Sequence, residues 1–572
     1  MNRRRNSFSG DLSIVLCGEA GQGIQTVEKI LNTVLKLSGY KVFSTSEFMS
    51  RIRGGTNSTE IRISDKRVNA YVDRIDILIP FSKGAMSHLR KRISSKTVIL
   101  SDRQNMGNGD HHQFVEIPFL KIASEIGSRI YTNTVAVGVI MGILKGEERT
   151  LHNHLEQFLS TKGRDVIQRN VKAAKEGYRI GAGLLDSGEI EIGIKRDDQT
   201  RHDVLLTGTE AVAYGAVAGG CNFVSFYPMS PSTGVAISLA QHAREFGIIV
   251  EQAEGEIAAI NMALGAWSAG GRAMVTTSGG GFDLMTEALS LAGMIESPMV
   301  IHLGQRPGGA TGFPTRTEQA DLEIALYSGH GEFPRVVLAP STIEDSFYST
   351  QRAFNLADKY QIPVIILTDQ YFLDSYYHTR SLDLSQTSVE SSIVKTRKRY
   401  KRYAFAQDGI SSRGIPGFGE GLVVIAGNEH DEEGHLTEDA DLRTKMVNKR
   451  LKKLESLREE VVEPRLSGEH DYTVLVVGWG STYYTIREAL DRLGRNDVAL
   501  LHFNQLHPLH SAAREYLETG EKVVVIENNA TAQLARHIRS YTGFQIRDRI
   551  LKYDGRPFSV EEIVTALQRI VG

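Results

Sequence analysis

Four short apolar runs, each followed by a turn and a helical pattern, organise the middle of the chain. Residues 222–226, 248–252, 272–277 and 299–304 are dense in Val, Ile, Met and Phe and read as buried strands. Helical patterns begin at Thr233, Gly255 and Phe282. The intervening loops carry unusual sequences: Phe226-Tyr-Pro-Met-Ser-Pro-Ser-Thr233, Val250-Glu-Gln-Ala-Glu-Gly-Glu-Ile257, Ser278-Gly-Gly-Gly281 and Gln305-Arg-Pro-Gly-Gly-Ala-Thr-Gly-Phe-Pro-Thr-Arg-Thr-Glu-Gln319. In an open parallel sheet, loops at the carboxyl ends of strands converge on one crevice, so the four share one site.

Similar alternations flank this centre. Residues 12–17 form an apolar strand, and Gly18-Glu-Ala-Gly-Gln-Gly23 turns into a helix running to about residue 38. A glycine turn at a helix start exposes backbone N–H groups and suits a phosphate, although its spacing departs from G-x-G-x-x-G and a tight turn without a ligand has the same look. Lys29, on that helix, can reach an anion or be simply solvated, and Arg51-Ile-Arg-Gly-Gly-Thr56 adds two more cations, Arg53 among them. Strands follow at 75–80 and 97–100 and helices at 84–93 and 133–144. A last helix ends with Asn170-Val-Lys-Ala-Ala-Lys-Glu-Gly177.

The polar stretch 186–202 reads as a linker. A second unit opens with strand 204–208 and helix 209–219. It continues past the four motifs to a capping box at Ser341-Thr-Ile-Glu344, a helix to Tyr360 and a strand at 363–369. Then come the basic Lys395-Thr-Arg-Lys-Arg-Tyr-Lys-Arg-Tyr403, read as a solvated or subunit-facing connector, and Gly427-Asn-Glu-His-Asp-Glu-Glu-Gly-His435, whose spacing fits no common metal site. A charged helix spans about 438–460. From Tyr472 a third strand–turn–helix unit begins, with further strands at 497–503 and 522–527.

The expected fold is therefore α/β, in three domains with open parallel or mixed sheets. Their boundaries fall at 1–185, 203–385 and 466–572, with a linker at 186–202 and a connector at 386–465. The 572 residues, 41% hydrophobic with 55 glycines, accommodate this. A net charge of −2 gives no push toward nucleic acid or a membrane surface. No apolar run approaches the roughly 20 residues that span a bilayer, and the basic start Met1-Asn-Arg-Arg-Arg-Asn6 lacks an apolar continuation, so a cytoplasmic location is expected. The two cysteines, Cys17 and Cys221, read as buried free thiols; four thiolates normally hold an iron–sulfur cluster, so this chain cannot hold one by itself.

The four central motifs, in this order, resemble the α subunit of the 2-oxoacid:ferredoxin oxidoreductases, most closely the 2-oxoglutarate type, with the family's γ domain fused ahead of it. The resemblance covers nearly the whole chain. It implies a γ-type Rossmann-like domain, a transketolase-like pyrimidine-binding domain and a transketolase C-terminal-like domain. It further implies that Gly18, Gly21, Gln22 and Gly23, with Lys29 and Arg53, bind coenzyme A phosphates.

Decarboxylating a 2-oxoacid needs a sink for the electron pair left on the carbonyl carbon, which thiamine diphosphate supplies as an ylid. A carboxylate must then favour the imino form of its pyrimidine. The resemblance makes Glu254 that group, with Glu251 and Glu256 as rivals and a helix-start carboxylate as the bland reading. Ser230 can hydrogen-bond the substrate, although the family more often has threonine there and an N-cap serine is the competing reading. Arg306 can hold a carboxylate in a bidentate fork. Thr311, Gly312 and Arg316 continue that loop, Arg316 as a second cation for a distal carboxylate. The usual Gly-Asp-Gly followed by Asn that ligates Mg2+ is absent; Asn108-Gly-Asp110 lies in the first domain. No metal site is therefore expected in this chain. A partner β subunit is expected to hold the diphosphate, Mg2+ and an iron–sulfur cluster in an α2β2 assembly that exchanges electrons with ferredoxin.

The implied reaction is coenzyme A-dependent oxidative decarboxylation of 2-oxoglutarate to succinyl-CoA and CO2. Alternatives are a related thiamine enzyme acting on pyruvate, a branched-chain 2-oxoacid or indolepyruvate, and, last, a non-catalytic nucleotide-binding scaffold.

Overall fold

The computed structural model describes residues 6–49, 55–106 and 113–571. By contact density the chain divides into two compact units. The first comprises residues 1–206 with the returning segments Ser375–Ser381 and Ser559–Glu561; the second holds the rest.

In the first unit an eight-stranded mixed sheet runs in the order Phe114–Glu116, Val98–Ser101, Ile77–Pro80, Asp11–Glu19, Thr56–Ser64, Lys41–Glu47, Tyr376–Thr379 and Val204–Thr207. Its first four strands are parallel, and Asp11–Glu19, Thr56–Ser64 and Lys41–Glu47 pair antiparallel. One face carries the apolar core against the helices Ile24–Leu37 and Thr132–Ile143. The other carries buried ion pairs, with Arg62 on Asp11 at 2.7 Å and Arg92 on Glu60.

The helix Arg164–Asp186 does not end at Gly177 but runs on for nine residues. Gly177 and Gly181 lie where a Cβ would come within 2.1 Å of the Val135 and Val139 carbonyls, and Gly138 and Gly142 answer from the other helix. These glycines let two helix backbones touch, so here glycine marks close packing and not a stop. The stretch read as a linker is ordered as well: Ile190–Gly193 pairs in parallel with Asn6–Ser9.

The second unit is built on a seven-stranded sheet in the order Ile249–Gln252, Phe223–Phe226, Ala273–Thr277, Met299–Gln305, Pro363–Asp369, Val336–Leu338 and Gln505–His507. All its pairings are parallel except the last, where Gln505–His507 arrives from the C-terminal segment. Helices on both faces explain why the central strands are unbroken apolar runs. Mid-sheet, His302 is fully buried between the Thr276 and Thr368 hydroxyls, 2.8 Å from each, and burial drives its pKa down to about 3.

The helix Gly208–Ala218 opens with a complete capping box, Thr207 with Glu210. For the helix Ile343–Tyr360 the cap is Thr342, which accepts from Asp345 N at 3.0 Å, one residue later than Ser341. A five-stranded sheet, with its centre at Val474–Trp479, forms the C-terminal segment. That segment shares this unit with the pyrimidine-type sheet.

Most of the basic stretch 395–403 is solvated, with Lys395, Arg397, Lys398, Arg399 and Lys401 exposed, but its end is anchored. Arg402 and Tyr403 are buried, and they donate to the carbonyls of Glu296 (2.7 Å) and Ile295 (3.4 Å). Glu296 is itself buried between Lys449 and Lys453 of the helix Ala440–Arg458, at 2.6 and 2.7 Å. In the 427–435 loop, Glu429 pairs with Arg450 and Arg443 of the same helix. Both motifs therefore fasten the connector to the sheet domain.

Candidate active site

The carboxyl ends of the four motif-bearing strands lie side by side. Stepping from Gln252 through Phe226 and Thr277 to Gln305 crosses three strand spacings, roughly 14 Å. The turn after Phe226 leaves Tyr227, Pro228 and Ser230 exposed, and Ala253 N donates to the Phe226 carbonyl at 2.9 Å, tying the first two motifs together.

The three glutamates of the second motif separate by burial. Glu256 is 6% exposed in the first turn of the helix Glu256–Ser268, with its side chain pressed where a Cβ on Gly281 would sit. It fits the helix-start reading. Glu251 lies on the outermost strand and Glu254 on the crest between strand and helix, both exposed. Of these two, only Glu254 stands past the strand end, at the crevice.

The glycines of the third motif are the first turn of the helix Gly279–Met294, and Ser278 is its N-cap position. Among the described residues, the fully buried Ser278 Oγ has no hydrogen-bond partner, and neither has Asp321 Oδ2, whose carboxyl lies 2.7 Å from where a Cβ on Gly279 would be. Two sheltered polar atoms without partners at one glycine turn are what a site completed by a ligand or water leaves behind.

In the fourth motif, Arg306 Nη1 donates to the Ser230 carbonyl at 2.9 Å, so these two expected substrate residues do meet. Burial pulls the Arg306 pKa down and the nearby Asp321 carboxylate opposes it. Burial, then the charges of Asp283 and Glu318, push Asp321 up to about 7, against the pull of Arg306. Burial dominates both groups, and among the described residues the Arg306 guanidinium makes no ion pair with a carboxylate.

Thr311 and Gly312 sit at the exposed apex of the loop. Arg316 is half-buried, with the base of its side chain packed on Gly555. Asp321, Gln305 and Gln319 were not singled out from the sequence, although all three lie inside or beside the fourth motif. Their spacing carries no pattern, and only the fold shows them turned inward.

In the first unit, Gly21 and Gly23 take positive φ (+90° and +75°), and Gly23 caps the helix Ile24–Leu37. Gln22 folds back, its Oε1 accepting from Glu19 N at 2.8 Å and its carbonyl from Asn133 Nδ2. Among the described residues, Gly21 meets no atom within 4 Å of an added Cβ. Lys29 is exposed and near His154, whose pKa burial and Lys29 both lower. Arg53 and Asn108–Asp110 lie outside the described residues. Both cysteines are buried and free, and burial raises each thiol to about 12.

Among the described residues no group of three His, Cys, Asp or Glu side chains stands close enough together to hold a metal ion. An exposed glutamate at the crevice and an arginine suit the pyrimidine end of thiamine diphosphate and an oxoacid carboxylate.

Residues 13–180 match the family described as pyruvate ferredoxin/flavodoxin oxidoreductase. Residues 214–449 match pyruvate flavodoxin/ferredoxin oxidoreductase, thiamine diphosphate-binding. Fold and family matches together define a thiamine-type oxidoreductase of 2-oxoacids.

A 2-oxoacid:ferredoxin oxidoreductase subunit alpha from a Sulfolobus species is 31% identical, over 98% of this chain and 97% of its own. A 2-oxoglutarate synthase subunit KorA from Archaeoglobus fulgidus is 34% identical over 57% of this chain and 88% of its own. The solved 2-oxoglutarate:ferredoxin oxidoreductase from Magnetococcus marinus, with 2-oxoglutarate, coenzyme A and succinyl-CoA bound, superposes with a TM-score of 0.92 at 30% identity, covering 99% of this chain and 100% of that one. The chain belongs to the 2-oxoacid:ferredoxin oxidoreductase family and aligns from end to end with its alpha subunits. Among the described residues no helix is long and apolar enough to cross a membrane.

Proposed function

We propose that the chain is the α subunit of an enzyme that oxidatively decarboxylates 2-oxoglutarate to succinyl-CoA, passing electrons to ferredoxin. The observation that carries this reading is Arg306 held on the Ser230 carbonyl, in a crevice whose outermost strand leads to the exposed Glu254. Thiamine diphosphate, when bound, supplies the electron sink for decarboxylation. Glu254 holds a pyrimidine ring nitrogen by a carboxylate hydrogen bond and so favours its imino form. Arg306 takes the substrate's 1-carboxylate in its planar fork, and Arg316 takes the distal carboxylate. The Ser230 hydroxyl orients the keto group. In the first unit the Gly18–Gly23 turn, at the start of a helix, holds coenzyme A phosphates.

A partner β subunit completes the site with the metal, diphosphate and iron–sulfur cluster. Support comes from the elements around Glu254, which expose Ile237 (51%), Ile249 (62%), Ile257 (59%) and Leu284 (54%). Exposed large apolar side chains on the elements that carry the motifs suit a subunit interface. The test is co-purification: the chain is expected to be colourless and inactive when isolated and to gain 2-oxoglutarate-dependent ferredoxin reduction on adding the β subunit. An active, iron-containing preparation of the isolated chain contradicts the reading.

A further inference from the structure

The Arg306–Glu318 loop is fastened at both ends and exposed at its apex. At its near end Gln305, 1% exposed, donates from Nε2 to the Thr368 carbonyl at 3.1 Å and accepts on Oε1 from Asp321 N at 3.1 Å, which closes the base of the loop. At its far end Gln319 is fully buried and spends all four of its polar groups on the C-terminal segment. Its N–H donates to the Asn528 carbonyl (2.7 Å) and its Nε2 to the Trp479 carbonyl (2.9 Å); its Oε1 accepts from Asn528 N (3.0 Å) and its carbonyl from Asn529 Nδ2 (3.0 Å).

The neighbours extend this seam. Thr317 N donates to the Gly555 carbonyl (3.3 Å), and Gln533 Nε2 donates to the Ala320 carbonyl (2.8 Å). Asp369, at the end of its strand, accepts from Thr317 Oγ1 on one oxygen and from Ser481 Oγ on the other. The apex is different. Residues 308–313 are all exposed, and the bonds there, Gly312 N to Gly309 O and Phe313 N to Pro307 O, stay within the loop.

We propose that Gln319 is a positioning residue: it registers the oxoacid loop on the C-terminal segment, so that Arg306 and Arg316 are already in place when substrate arrives. The inference rests on the reading of this loop as the oxoacid-binding loop. Its physical basis is that an unfastened loop must be ordered by the substrate itself, at the expense of affinity. Gln319 is suited to the task because its side-chain amide, fully buried and bonded to Asn528 N and the Trp479 carbonyl while its main-chain N–H bonds the Asn528 carbonyl, cannot slide without breaking several bonds together. The C-terminal segment then acts at the oxoacid site without touching substrate.

The experiment uses the α subunit in complex with its β partner. Gln319→Ala removes the side-chain bonds; Gln319→Met removes them while keeping the volume; Asn529→Ala reaches the same seam from the other side. Amide exchange of residues 317–321 is expected to accelerate in each variant, while the sheet strands keep their protection. The KM for 2-oxoglutarate is expected to rise about tenfold, the scale of one or two lost hydrogen bonds, with the KM for coenzyme A unchanged. The double variant Gln319→Ala/Asn529→Ala is expected to be little worse than either single one, since both cut one seam.

Accelerated exchange with an unchanged oxoacid KM overturns the positioning role and leaves the functional reading standing. Equal rises in both KM values, with a lowered Tm, also overturn it, because they mark general damage. A wild-type complex that turns over no 2-oxoacid overturns the functional reading, and the positioning role falls with it.

Discussion

Glu254 and Glu256 are two residues apart in sequence and chemically identical, yet only one is free to act. Glu256 is turned under Gly281, whereas Glu254 points out from the crest of the crevice. Glu254→Gln keeps the shape and removes the carboxylate. Activity of the complex is expected to fall ~10²- to 10⁴-fold with folding and pairing intact. Hydrogen–deuterium exchange at C2 of the bound thiazolium reads the same step directly. A wild-type exchange rate in that variant transfers the role to Glu251.

In the first unit Gly21 adopts φ +90°, so a side chain there strains the turn, and among the described residues it meets no clash. Gly21→Val is expected to raise the KM for coenzyme A and leave that for the oxoacid alone. Equal effects on both would detach the turn from coenzyme A.

At the scale of elements, Glu296 shows how the connector is held. One carboxylate, fully buried, faces Lys449, Lys453 and the Arg402 side chain, whose charges outweigh burial and hold it far below the usual carboxylate range. Each lysine shares that single carboxylate with other cations, so burial wins for them, and Lys453 falls to about 8. A depressed carboxylate stabilises the fold above its unfolded value of 4.5, and that contribution is lost as pH falls below it. Glu296→Gln leaves two buried ammonium groups unpaired and is expected to cost ~3–5 kcal/mol, seen as a lowered Tm at neutral pH. A Tm unchanged from wild type would show that the cluster is solvated.

The elements also show what could be read from the chain. The parallel strands 223–226, 273–277 and 299–305 were legible because strands covered on both faces are unbroken apolar runs; 249–252 lies at the exposed sheet edge and shows only the short apolar start 248–250. Thr56–Ser64 was not seen, since Glu60 and Arg62 interrupt any apolar pattern and are accommodated by partners distant in sequence, Arg92 and Asp11. The first-unit helix was stopped short at Gly177 because a glycine that permits close packing looks, in sequence, like one that ends a helix. At the site, the motifs carrying Ser230, Glu254 and Arg306 were legible. The inward turn of Asp321 and Gln319 was not, because it depends on where the C-terminal segment lies.

For the whole molecule, the consequence of these placements is a division of labour. One unit offers a glycine turn at a helix start; the other offers an arginine, a serine and a glutamate on a common sheet edge, with exposed apolar groups on the elements that carry the motifs. The C-terminal segment contributes a strand to that sheet and the anchor for the oxoacid loop. A dicarboxylate substrate fits this arrangement because its second charge needs a partner, and leaving it unpaired in a closed site costs several kcal/mol. Arg316→Ala is therefore expected to penalise 2-oxoglutarate more than monocarboxylate oxoacids, whereas Arg306→Lys penalises all of them through the lost fork. The most direct test is kcat/KM of the reconstituted complex for 2-oxoglutarate, pyruvate and 2-oxoisovalerate, with coenzyme A and ferredoxin present. The account predicts the highest value for 2-oxoglutarate and a selective loss of that preference in Arg316→Ala; a preference for pyruvate in the wild-type complex would contradict it.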